Sequence, residues 1–404
     1  MKRRILIVVL GLVILSQLPF AYRRYRLSRL QRTIQLLESQ RVAPKGEGEY
    51  FDYQGVIHVH SSLGGHSTGT FAEIIAAAKA NQLDFVIVTE HPQIEFDTSA
   101  MTLSGVHAGI LFINGNEVAT ASGDRLLLIP GSTDAPAMST QTTQEVIAKQ
   151  KSAGGLTFAA YPSESQNWQS SSVDGVEVYN LFTNARQINS TLMFLDGLWS
   201  YRGYPDLMFA NFFARPAENL KRWDEAMSVG RRKVIAIAGN DAHSNVGLSV
   251  NDASGKQWLG VKLDPYERSF RVVRTHVLIK KDKPLTRESL LEAISHGHCY
   301  VSFDIFGDAR GFTFAPVDGA ANMGDEIFPI GKMQLRAAAP LFCRFVLFKD
   351  GFVVSEKSGA AVEFSMDAPG TYRVEAYLDS LPAPVRGQPW IISNPIHVGP
   401  FLAR

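Results

Sequence analysis

The stretch GVIHVHSSLGGHSTGTFAEIIAAAKANQLDFVIVTEH, residues 55–91, decides how the chain is read. It opens with an apolar run, GVIHVH (55–60), and closes with another, DFVIVTEH (84–91). Between them FAEIIAAAKANQ (71–82) carries a helical pattern. Runs this rich in Val, Ile and Phe suit strands covered on both faces, so the unit reads as strand–helix–strand in a parallel sheet. His58 and His60 end the first run, His66 follows, and Glu90 and His91 end the second. Parallel α/β folds bind ligands at the C-terminal ends of their strands, and these polar residues stand there.

Outward from this unit the pattern repeats. Further apolar runs are ILFINGNEV (110–118), RLLLIP (125–130), GLTFAAYP (155–162), GVEVYN (175–180) and KVIAIAGNDAH (233–243). Helical patterns intervene at TQEVIAKQKSAG (143–154) and NLKRWDEAMSVG (219–230). Seven strands alternating with helices predict a parallel sheet, open or closed into a barrel. Glu117 ends the third run, and Asp241 and His243 end the last, so four strands send imidazoles and carboxylates to one rim. Period-two alternation places both rings of a His-x-His on one face, and Asp241-Ala242-His243 repeats that spacing. Neutral imidazole with carboxylate suits Zn, Mn or Fe rather than Ca, which takes oxygen ligands.

The two motifs in residues 55–91, together with FINGNEV and GNDAHS, resemble those of the polymerase and histidinol phosphatase (PHP) superfamily. The resemblance covers roughly residues 53 to 245. It implies a distorted (β/α)7 barrel, a cluster of two or three metals and phosphoester hydrolysis. Position by position it implies one metal on His58, His60, Glu117 and Asp241, and a second on His66, His91 and His243. Members with a third metal use two further histidines, where this chain has Arg125 and Tyr161. An arginine beside a cation site repels rather than binds, so two divalent transition metal ions are expected. Two such ions about 3.5–4 Å apart activate a water for attack on phosphorus. Arg125 and Tyr161 are then candidate donors to the phosphoryl group, and Glu90 a partner orienting His91 or a proton shuttle.

The rest of the chain frames this site. Lys2, Arg3 and Arg4 precede an apolar run from Ile5 to Tyr22, long enough to span a hydrocarbon core and lacking a small-residue cleavage site. Residues 1–24 are therefore expected to be a single-pass signal anchor, with the body exported from the cytoplasm. Leu27, Leu30, Ile34 and Leu37 predict an amphipathic juxtamembrane helix, and VAPKGEGEY (42–50) a linker. The barrel is expected over 51–310 and a β-sandwich-like domain over 311–404, with a hairpin at Lys349-Asp350-Gly351. A net charge of +1 gives no global electrostatic case for nucleic acid. Cys299 and Cys343 lack CxxC spacing and read as buried thiols. His276 divides between core and rim, and His296 and His298 read as helix C-terminal residues rather than ligands. The expected function is hydrolysis of a small or lipid-derived phosphoester. A metal-dependent hydrolase of another bond, or a metal-binding recognition module, are the competing readings.

Overall fold

The computed structural model describes residues 2–42, 48–165, 167–186, 190–245, 247–251, 257–328, 333–366 and 368–399. Most of the expected linker (residues 43–47) lies outside them. The seven apolar runs form seven strands: β1 (Tyr50–Val59), β2 (Phe85–Glu90), β3 (Ile110–Ala119), β4 (Arg125–Ile129), β5 (Leu156–Ala160), β6 (Gly175–Asn180) and β7 (Ile235–Ala242). Each pairs with the next, and β7 returns to pair with β1, which closes the barrel. The helices α2 (Phe71–Ala80) and α3 (Thr143–Ser152) each start on a threonine capping box, Thr70 with Glu73 and Thr142 with Glu145. Such reciprocal bonds satisfy two of the amide donors left open in a helix's first turn.

The all-parallel expectation needs one correction. β4 runs antiparallel to both β3 and β5. Only residues 120–124 separate β3 from β4, too few for a crossover helix, so the chain turns back as a hairpin. This reversal brings the first residue of β4, Arg125, to the rim where the other strands end.

The N-terminal segment is one helix, α1 (Lys2–Gln40), across the expected boundary at residue 24. It is long and apolar enough to cross a membrane. Its two halves meet different surroundings. Leu10, Leu12, Val13, Ile14, Leu15 and Leu18 are exposed, whereas Leu27, Leu30 and Leu37 are buried against the body. Arg41 extends that contact by pairing with Asp308 at 3.1 Å.

Beyond the barrel the sheet continues. The first half of β1 pairs antiparallel with β8 (Arg274–Lys280), and β8 with β9 (Cys299–Ser302). A long hairpin of β10 (Met333–Lys349) and β11 (Phe352–Met366) follows, then β12 (Gly370–Tyr377) and β13 (Ile391–Ser393). β13 pairs with both β9 and β12, and β12 with β10. The hairpin turns at Asp350 and Gly351, both at positive φ (52° and 86°), as Asp-Gly turns require. Cys299 and Cys343 are both buried and unbridged.

His276, opposite Gln54 in the β1–β8 ladder, belongs to the core and not to the rim. Its Nδ1 lies 2.8 Å from Asp52 and its Nε2 3.3 Å from Asp304, and it stacks on Tyr300. Burial works against its charge, but the two aspartates raise its pKa from 6.5 to about 10. A raised folded-state pKa stabilises fully below 6.5, and the gain is lost as pH climbs towards 10. The unfolding midpoint should therefore fall across that interval, and His276→Gln should flatten the decline. An equal slope in the variant, measured by thermal melts at each pH, would contradict this. His296, at the exposed C-terminus of the helix Arg287–His296, bonds the Glu292 carbonyl at 2.8 Å, and His298 pairs with Asp325 at 2.8 Å.

Candidate metal centre

Four side chains converge inside the rim. Single donor atoms of His58, His60, Glu117 and Asp241 all lie within 4.8 Å of one another, and all four residues are buried. A second group, His60, His91 and His243, meets the same limit and shares His60 with the first. The His60 ring stacks between those of His91 and His243, at centroid distances of 4.5 and 4.4 Å. His66 stands apart from both groups. It is exposed at the mouth, with its ring 4.7 Å from that of His91.

The convergence does not arise from regular pleating, as the period-two argument expected. His58 and Asp241 both have left-handed backbones, with φ of 67° and 46°. The β1 register shifts at His58 against both neighbouring strands. Each residue is thus the extra one in a bulge, and the bulge re-aims its side chain into the barrel mouth. Left-handed backbone at non-glycine residues costs of order 1–3 kcal/mol each and gathers where function needs a fixed direction. Tyr161, at φ 51°, shares the property.

Sequence reasoning missed Glu177. It lies fully buried on β6, and its Oε1 accepts from His58 Nδ1 at 2.6 Å. The bond leaves His58 Nε2 to face Glu117 at 3.2 Å and Asp241 at 3.5 Å. Asn180 donates to the other Glu177 oxygen at 3.1 Å. The signal was a lone carboxylate in the otherwise apolar run GVEVYN. Gly239 makes the room: a Cβ there would stand 1.9 Å from Glu177 Oε1.

Glu90 bonds Ser61 and Thr102, and no hydrogen bond joins it to the His91 ring. Its carboxylate accepts from the Ser61 amide at 3.0 Å, the Ser61 hydroxyl and the Thr102 hydroxyl at 3.1 Å. These bonds pin the backbone just after His60. Tyr161 donates to Asp241 Oδ2 at 2.5 Å. Arg125 Nη1 lies 3.3 Å from Glu117 Oε1, and the arginine side chain is 47% exposed, so an incoming anion can reach it.

The electrostatics suit a cation. Burial opposes charge on His58, but Glu177, Asp241 and Glu117 hold its pKa well above the ordinary value. His58 and His60 in turn hold Glu117 and Asp241 below the usual carboxylate range, against burial. Burial and the neighbouring His60 push His91 down to about 3 and His243 to about 4. Both rings are therefore neutral, with a lone pair to offer. His243 Nδ1 bonds the Asp241 carbonyl at 2.9 Å, which leaves Nε2 as its free donor. Burial and then the surrounding carboxylates raise Tyr161 far above its ordinary value, so it stays a neutral donor. A cavity of about 540 Å³ opens above the cluster, lined by His66, His91, Glu117, Arg125, Phe182 and His243 among others.

No family model and no curated protein matches the chain. Among solved structures it is similar to a two-domain protein from Bacteroides vulgatus that contains a predicted PHP-like metal-dependent phosphoesterase. That likeness has 15% identity and a TM-score of 0.41, over 87% of this chain and 98% of the other. It is also similar to PsfC from Pseudomonas syringae, with 14% identity and a TM-score of 0.37, over 63% and 92% of the two chains. Endonuclease Q, solved with a duplex bearing an abasic lesion at its active site, matches at 14% identity and a TM-score of 0.35, over 60% and 56%. These are distant likenesses, and the site's own geometry has to carry its function.

Proposed function

We propose that the chain is a metal-dependent hydrolase anchored in a membrane by α1. Within that class, its motifs and donor set fit a phosphoesterase of the PHP superfamily. The observation that carries this reading is a set of stranded atoms. Both ring nitrogens of His60 and Oδ1 of Asp241 are buried without a well-aligned hydrogen bond, His60 Nε2 facing Asp241 Oδ1 at 3.4 Å and Glu117 Oε2 at 3.3 Å. A buried polar atom left unpaired costs about 1–3 kcal/mol, so three in one cluster call for a ligand. A divalent transition metal meets that need, and the mixed imidazole–carboxylate set fits Zn, Mn or Fe.

His58, His60, Glu117 and Asp241 would hold one ion, and His91 and His243 would hold a second beside His60, with His66 at the mouth. Ions there would supply Lewis acidity and an activated water. The protein's own residues do the rest. Glu177 fixes the His58 tautomer, Glu90 fixes the loop after His60, and Tyr161 orients Asp241. Arg125 offers a planar fork of donors to the phosphoryl oxygens. Arg125 and Tyr161 occupy the sequence positions that the resemblance gives to a third ion's histidines, which favours two ions.

The test uses the full chain in detergent, stripped of metal and reloaded with Zn, Mn or Fe singly. Phosphomonoesters, phosphodiesters, phospholipids and DNA substrates should be assayed together, because the rim does not select among them. Metal-dependent release from a phosphoester is expected; turnover confined to amides or lactones would overturn the phosphoesterase reading. Arg125→Ala should leave both ions bound and lower kcat/KM by one to two decades, equivalent to about 1.5–3 kcal/mol for a lost charged partner. Unchanged kinetics would remove Arg125 from the substrate site. For the anchor, the chain should stay with membranes through carbonate washing, with the body on the exported side; release by carbonate would refute the span.

A further inference from the structure

A second apolar surface adjoins the exposed part of α1. The chain leaves β6 through α4 (Leu181–Arg186), whose Phe182 ring lies 5.5 Å from that of His243, and then forms α5 (Ser190–Ser200). α5 crosses α1 where its apolar run ends. Arg23 pairs with the buried Asp196 at 2.5 Å. Arg24 donates to the Trp199 carbonyl, and Trp199 Nε1 donates to Gln17 at 3.0 Å.

Helical spacing sorts the residues of α5. Asp196 and Trp199 share the face against α1, whereas Phe194 and Leu198, four apart, share another. Phe194 is 44% exposed and Leu198 69%. From Arg24 to Gln17 is seven residues, or roughly 10 Å along the helix axis. If Ile5–Tyr22 spans a bilayer, Trp199 therefore reaches well inside the polar boundary, at the depth where indole rings settle.

We infer that α5 is a second membrane-contacting element, bedded in the headgroup and acyl boundary of the bilayer that α1 crosses. This rests on the anchoring role proposed for α1. The occupant is lipid because the face of α1 that meets α5 at Gln17 and Arg24 carries on, a turn or two further along, as the exposed Val13, Leu10 and Val9. A helix with one apolar face lies in this boundary with that face turned to the acyl chains. Three residues separate α5 from α4, so the bilayer-facing helix and a wall of the cavity belong to one segment.

Depth-dependent quenching tests this on the full chain in phosphatidylcholine–phosphatidylglycerol vesicles. Single cysteines at Leu12, Leu198 and the exposed Val353 would carry a polarity-sensitive dye, with both native thiols buried. Position 198 should lose intensity to lipids brominated near the headgroup, with a blue shift, while position 353 should respond only to aqueous iodide. Quenching at 12 with 198 behaving like 353 would overturn the inference and leave the span intact. No quenching at 12 would remove the span and the inference with it. A blue shift at 198 that grows with protein density and ignores bromine would assign this face to a second copy, which also overturns it.

Discussion

Asp241→Asn should lower turnover on the order of 10³-fold, because a metal's share in stabilising transition-state charge is several kcal/mol and each 1.36 kcal/mol is a decade. Asp241 faces His58 and His60 through Oδ1 and receives the Tyr161 hydroxyl on Oδ2, so both of its oxygens serve the cluster. The amide keeps the shape and removes the charge. Metal content after dialysis should drop with activity, and excess metal should restore part of both. A variant that keeps full metal occupancy and loses only turnover would mean that Asp241 acts on the substrate instead. One that keeps both would remove the proposed centre.

Glu177→Gln should weaken metal affinity by about 10–100-fold, the usual cost of losing a carboxylate behind a ligating histidine. The carboxylate touches no substrate-facing surface, being fully buried, so the effect must pass through His58. A neutral amide still accepts from Nδ1 but no longer makes the ring a stronger donor. The decisive readout is the pH profile of metal uptake. Without Glu177, His58 loses its largest anionic neighbour, its proton is held less tightly, and the acid limb should move to lower pH. A purely structural role would lower stability and leave that limb in place.

Much of this was written in the sequence, and what was not has physical reasons. Apolar runs located all seven barrel strands, since a buried strand must be apolar wherever the fold places it. Direction is another matter. RLLLIP reads the same whether its strand runs up or down, and only the five-residue gap before it marks the reversal. The donor set around Asp241 was legible because His and acid at strand ends have few other uses. His66, drawn in by the resemblance, lies outside the two groups of converging donors, since loop residues are placed by loop geometry and not by strand period. Glu90 and Glu177 show why nearness in sequence is a poor guide to contact. The first lay beside a histidine in sequence but turned to Ser61. The second lay in an apolar strand, and the register of β6 aimed it at His58. α1 hides its junction because helix propensity is indifferent to whether a side chain meets lipid, water or protein.

β1 has consequences for anyone who cuts this protein. One end of that strand carries His58 and the barrel seam, and the other pairs with β8, which leads through β9 and β13 into the C-terminal hairpins. A fragment ending after the last metal motif would strip β1 of its outer neighbour and leave an unpaired apolar edge, the sort that recruits other chains into aggregates. Because one continuous ladder joins the chemistry to the far end of the molecule, calorimetry of the whole body should show a single cooperative transition. Limited proteolysis would then spare the join between barrel and C-terminal strands and cut first in exposed loop tips. For mutagenesis in β10–β13, loss of activity would report on the seam long before it reported on any ligand held there.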